Sequence, residues 1–142
     1  MLIGEYEYKV DNKGRLPLPP KFRHEFSEGL ILARGIEDCI VVYRKADFEK
    51  IASKYSSDPL AKSKMRKLSR FIFSNAFDME LDNQGRISLP QPLKNFTGIT
   101  NTAVIVGDND HLELWNPEKW NEEQRASSDQ AWQTIESLEG QT

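Results

Sequence analysis

The chain has 142 residues, 38% hydrophobic and 29% charged, with a formal net charge of -3. That balance suits one ordinary domain or two small ones with a real core and excludes a chain that is mainly disordered. The longest apolar runs, Ile40 to Tyr43 and Leu30 to Ala33, are strand-sized and span no membrane, and the opening Met1-Leu2-Ile3-Gly4-Glu5 does not read as a secretory signal, so a cytoplasmic chain is expected.

Alternation at Ile3, Tyr6, Tyr8 and Val10 predicts a first strand. The next residues, Asp11-Asn12-Lys13-Gly14-Arg15, predict a tight turn. An Asp at the first position and a Gly at the fourth suit a type I turn closed by a left-handed glycine. A short strand (Arg15 to Leu18) follows, and Pro19 and Pro20 open a short helix that faces Phe22 and Phe26 inward. The first unit ends in a hairpin of Leu30 to Arg34 with Cys39 to Arg44, where the single cysteine, Cys39, reads as core.

A helical connector comes next, Ala46 to Tyr55 and Leu60 to Ser74, with Asp58 expected to cap and Pro59 to take the first helical position. Ala61, Met65, Leu68 and Ile72 form one stripe, and Lys62, Arg66, Lys67 and Arg70 face solvent opposite it. The first unit's series then recurs. Phe77, Met79 and Leu81 predict a strand, Asp82-Asn83-Gln84-Gly85-Arg86 a turn, and Arg86 to Leu89 a strand. Pro90 and Pro92 open a helix with Leu93 and Phe96 inward, and Ala103 to Val106 pairs with Leu112 to Trp115. Beyond Pro117, Trp120 and Trp132 are expected to anchor an acidic helix.

The recurrence is a true duplication. Val10 to Pro19 matches Leu81 to Pro90 at an offset of 71 with six of ten residues identical, and Gly35 to Tyr43 matches Gly107 to Trp115 at 72. We therefore divide the chain into a first repeat (1-49), a basic connector (50-75), a second repeat (76-120) and an acidic tail (121-142). The expected class is α+β, mainly β, built as a pseudo-symmetric pair of repeats.

Charge follows the same division: residues 1-44 are neutral, 45-77 carry +5 and 78-142 carry -8. A basic half beside an acidic one lets one surface meet phosphates. Enzyme chemistry finds no support, since His24 and His111 are the only histidines and no P-loop or nucleophile elbow occurs. No cofactor and no metal site is expected. Asp108, Asp110 and Glu113 lack the length and closing Glu of a calcium loop and read as a hydrophilic turn.

Arg15 and Arg86 stand apart, because turn geometry accounts for Asp11, Asn12, Gly14, Asp82, Asn83 and Gly85 but does not require an arginine next. Each guanidinium either holds its neighbouring carboxylate or grips phosphate and guanine edges. Lys9, Lys13 and Lys21 of the first copy correspond to Glu80, Gln84 and Pro92 of the second, while Arg23 corresponds to Lys94. The first copy is thus the stronger DNA surface, with Arg15, Lys13, Lys9, Lys21 and Arg23 as its basic groups and Arg86 as a secondary contact or an interface residue.

The duplicated Asp-Asn-x-Gly-Arg turns, the Leu-x-Leu-Pro and Ile-x-Leu-Pro segments and the opening Met1 to Tyr6 resemble the MraZ family over about residues 1-120. These are bacterial transcriptional regulators built from two AbrB-like repeats. The resemblance implies a swapped-hairpin barrel, ring-shaped homo-oligomers, and binding to repeated double-stranded promoter sites of the division and cell-wall gene cluster. It also implies a nucleoid-associated cytoplasmic location and an Asp-x-x-x-Arg signature, at Asp11 with Arg15 and at Asp82 with Arg86. The alternative function is a protein-interaction ring that modulates a partner enzyme, for which the resemblance suggests a ribosomal-RNA methyltransferase.

Overall fold

Tyr6 and Tyr8 are half-buried between exposed Glu5, Glu7 and Lys9, and this period of two turns one face of β1 (Glu5–Lys9) toward the core. The computed structural model describes residues 1-140. After β1 come β2 (Arg15–Pro17), α1 (Pro20–Arg23) with a 3-10 turn (His24–Phe26), and a hairpin of β3 (Leu30–Arg34) and β4 (Cys39–Arg44). Two connector helices, α2 (Lys45–Tyr55) and α3 (Ser63–Ser74), lead to the second copy. That copy comprises β5 (Ala76–Met79), β6 (Arg86–Ser88), α4 (Gln91–Thr97), β7 (Thr102–Gly107) and β8 (His111–Trp115), followed by α5 (Pro117–Glu139). The class is α+β with a sheet at its core, as the period-two patterning of the strands predicts.

Six strands form an antiparallel sheet in the order β1-β7-β8-β4-β3-β5, and β2 pairs with β6 in a separate ladder. The copies are interleaved. β1 lies on β7, β5 on β3, β4 on β8 and β2 on β6. Leu16 faces Ile87 and Val41 faces Glu113, so at both central ladders a residue lies opposite its own counterpart from the other copy. A pseudo-two-fold axis passes between these pairs.

The pairing differs from a closed barrel, because β1 and β5 end the sheet and do not pair with each other. The turns after β1 and β5 lead β2 and β6 out of the sheet, where they bond to one another instead of closing a ring. Leu16, Leu18 and Ile87 nonetheless join one core with Leu30, Ile105 and Leu112 from the sheet, all fully buried. Each such side chain contributes about 1.5–3 kcal/mol by leaving water. On the sheet's other face Cys39, Val41, Val104 and Trp115 form a second cluster, onto which Trp120 packs from α5 with its ring centroid 5.6 Å from that of Trp115.

Two helical expectations are corrected. Asp58 and Pro59 close a turn of their own, Asp58 Oδ1 accepting from Leu60 N at 2.8 Å, and α3 starts only at Ser63, leaving Ala61 outside it. Trp132 anchors nothing: α5 runs on beyond the sheet after Trp120, and the Trp132 ring is 75% exposed. Among the described residues no helix is long and apolar enough to cross a membrane.

Candidate nucleic-acid interface

The two turns are near copies in geometry. Gly14 N donates to Asp11 O at 3.0 Å and Gly85 N to Asp82 O at 2.9 Å, with the glycines at φ of 76° and 74°. Only glycine takes that left-handed conformation without strain, which is why both motifs carry it. Each aspartate then organises its own loop. Asp11 Oδ1 accepts from Lys13 N and Arg15 N, both at 2.9 Å, and its Oδ2 accepts from Arg15 Nε at 2.7 Å. Asp82 repeats this with Gln84 N, Arg86 N and Arg86 Nε at 2.9, 2.9 and 2.7 Å.

These bonds favour the ionised carboxylate. The Arg15 backbone amide, with help from its side chain and from the Lys13 amide, lowers Asp11 to about 2, and the Arg86 amide lowers Asp82 in the same way. Of the two readings of the arginine, the carboxylate contact is therefore present in both copies. It engages Nε and leaves the terminal nitrogens of Arg15 without a carboxylate partner among the described residues.

The ladder decides where these groups point. Directly opposed residues share a face and neighbours in sequence alternate, so Arg15, Pro17, Arg86 and Ser88 lie on one side of β2–β6 while Leu16 and Ile87 fill the core on the other. Both arginines thus present a partly exposed guanidinium on a two-stranded ribbon. Arg86 also reaches across the axis, its Nη1 lying 3.8 Å from Asp11 Oδ2.

The remaining basic candidates divide. Lys13 is exposed in the first turn beside Arg15, whereas the corresponding residue of the second turn is the neutral Gln84. Arg23 is brought to the other copy's turn: it packs against Gly85, and its Nε donates to Leu18 O at 3.1 Å. Lys21 lies over the Tyr6 ring at 4.7 Å, and Lys9 is exposed at the end of β1. Neither bonds to the turns among the described residues.

A family model described as "MraZ protein, putative antitoxin-like" matches residues 1-71 and again 72-137. The chain belongs to the MraZ family. It is 48% identical over 141 residues to a protein named Transcriptional regulator MraZ from Dehalococcoides mccartyi strain 195, covering 99% of each chain. A second relative of that name, from strain BAV1 of the same species, is 49% identical over 140 residues, covering 98% of this chain and 99% of its own. Another of that name, from Roseiflexus castenholzii, is 43% identical over 120 residues, 84% of each chain. The two MraZ matches divide the chain inside α3 and so assign one Asp–Arg turn to each.

Sequence reading missed what joins these MraZ halves. It gave no sign that Arg86 approaches Asp11, nor that Leu18 N donates to Gly85 O and Leu89 N to Gly14 O, at 3.0 and 2.9 Å. The signal available was the identical Leu-x-Leu-Pro spacing after both turns, which lets two antiparallel copies satisfy each other's backbone.

Proposed function

We propose that the protein is a DNA-binding transcriptional regulator that acts as a ring-shaped homo-oligomer on repeated promoter sites of the division and cell-wall gene cluster. The observation that carries this reading is the outer face of β2–β6, which Arg15 and Arg86 share diagonally, each oriented by its own aspartate. A two-stranded ribbon fits the major groove, and an arginine fork matches guanine O6 and N7 or a phosphate. Arg15 is the principal reader, Lys13 adds a phosphate contact beside it, and Asp11 orients the arginine. Lys9, Lys21 and Arg23 contribute long-range attraction, and Arg86 is the secondary contact. In this reading 1-49 and 76-120 are the two AbrB-like halves, 50-75 links them, and 121-142 stays off the DNA.

Assembly has separate support. A groove of about 730 Å³ opens between β3–β4 and the connector helices, lined by Tyr43, Phe48, Ile51, Leu68 and Phe71, and α3 buries none of its residues within the chain. A second copy of the chain is the occupant that a ring requires. Repetition around a ring turns weak individual phosphate contacts into useful affinity and makes up for an acidic monomer.

The test is binding to the chain's own upstream promoter DNA at several salt concentrations, with wild type compared against Arg15→Ala. Steep salt dependence in wild type, together with loss of binding by a variant that still assembles, is the expected result. Equal affinity of the two proteins overturns the role of Arg15, and no binding by either at low salt overturns the regulator reading in favour of a protein partner.

A further inference from the structure

The turn between β7 and β8 gathers an imidazole and two carboxylates, and we propose that Asp108, His111 and Glu113 form a binding site for a divalent transition cation of the Zn²⁺ class. One ligand atom from each residue lies within 4.8 Å of the others. His111 Nε2 is 3.3 Å from Asp108 Oδ2 and 3.9 Å from Glu113 Oε2. Two ligands each bound to zinc at 2.0–2.1 Å in a tetrahedron stand about 3.4 Å apart, so these side chains need little movement to close on an ion. The mixture of imidazole and carboxylate suits zinc and its neighbours better than calcium, which takes oxygen alone.

Further contacts orient the three ligands. His111 Nδ1 is 2.7 Å from Asp110 Oδ1, which selects the tautomer that leaves Nε2 facing the two carboxylates. Trp115 Nε1 donates to Glu113 Oε1 at 3.0 Å and leaves Oε2 on the side of His111. The turn itself is held from outside, since Leu2 and Asn109 exchange both backbone hydrogen bonds at 2.8 Å. Such supporting groups raise metal affinity by holding ligands in place before binding.

The duplication supplies an independent argument. β4 and β8 align at an offset of 72, which places Cys39 opposite His111 and Val41 opposite Glu113 in the comparison of copies. The first copy builds the same hairpin with a buried thiol and a buried valine at these positions. The hairpin therefore has no need of histidine and glutamate there.

Titration of the metal-free full chain with Zn²⁺, followed by calorimetry, and with Co²⁺, followed by its visible absorption, tests the site. One equivalent per chain is expected, with affinity reduced at least about 100-fold in His111→Gln and about 10–100-fold in Asp110→Asn, which removes only the orienting contact. His24→Gln, far from the turn in sequence, is expected to bind as wild type does. Circular dichroism of each variant confirms its fold, and Glu113→Gln replaces His111→Gln if that variant fails to fold. Absence of saturable binding, or equal affinity in the His111 or Glu113 variant, overturns the proposal, and neither result depends on whether the protein binds DNA.

Discussion

Arg86 of the second copy lies 3.8 Å from Asp11, the carboxylate that orients Arg15 of the first, so one aspartate touches both arginines of the outer face. The reverse contact, Arg15 with Asp82, is not made among the described residues. The pseudo-symmetry is therefore broken at the point where the two turns meet.

That asymmetry ranks the aspartates. Asp11→Asn unfastens Arg15 and the Arg86 contact, whereas Asp82→Asn unfastens only Arg86. On the proposed reading of DNA by Arg15, we expect Asp11→Asn to weaken promoter binding more, toward the loss of about 1–3 kcal/mol expected for Arg15→Ala. Arg15→Lys does not restore it, because an ammonium lacks the fork. Fluorescence anisotropy at constant salt checks the order, and equal losses from the two aspartate variants contradict it.

Acid should act through the same carboxylates. Asp11 titrates at about 2 in the fold against 3.8 ordinarily, so its contribution to stability is present above about pH 4 and lost as the pH falls toward 2. Asp82, lowered in the same direction, adds to this effect. Urea unfolding across that range is expected to show a shallower decline in Asp11→Asn than in wild type. An identical decline would rule out this contribution.

The two turn glycines are not equivalent under substitution. Gly14→Ala meets only backbone strain, about 1–2 kcal/mol for a left-handed alanine, because the nearest atoms to its new Cβ are 3.8 Å away. Gly85→Ala meets that strain and also collides with the Arg23 side chain, whose Nε then loses the Leu18 carbonyl. Gly85→Ala is expected to lower the urea midpoint further, and reversing Arg23 to Ala in that background recovers part of the difference.

Leu16 is fully buried and opposite Ile87, so Leu16→Ala leaves a cavity where the two copies join. A loss of about 2–5 kcal/mol is expected. Denaturant midpoints with an unchanged slope check it. A loss below about 1 kcal/mol would mean that the ladder is peripheral to the core.

Much of the local structure was legible in the sequence because it rests on short-range chemistry. Alternation predicted β1 and β5, strand-sized apolar segments on either side of a turn predicted the hairpins β3–β4 and β7–β8, and the Asp-Asn-x-Gly-Arg spacing predicted both turns, since an aspartate can cap amides two and four residues ahead wherever a glycine accepts positive φ. The start of α3 was misplaced because Asp58 and Pro59 are as good a turn as they are a helix cap. Trp132 was misjudged because an aromatic residue in a helical pattern carries no information about whether anything packs on it.

By itself the sequence determined the duplication, the two turns and the family, all of which depend on residues close together in the chain or on identity between copies. Tertiary structure alone decided that β1 lies on β7 and β5 on β3, and that Arg15 and Arg86 share a face. Strand register is set by which side chains fill a common core, and that choice involves residues 43 to 101 positions apart that no local pattern connects.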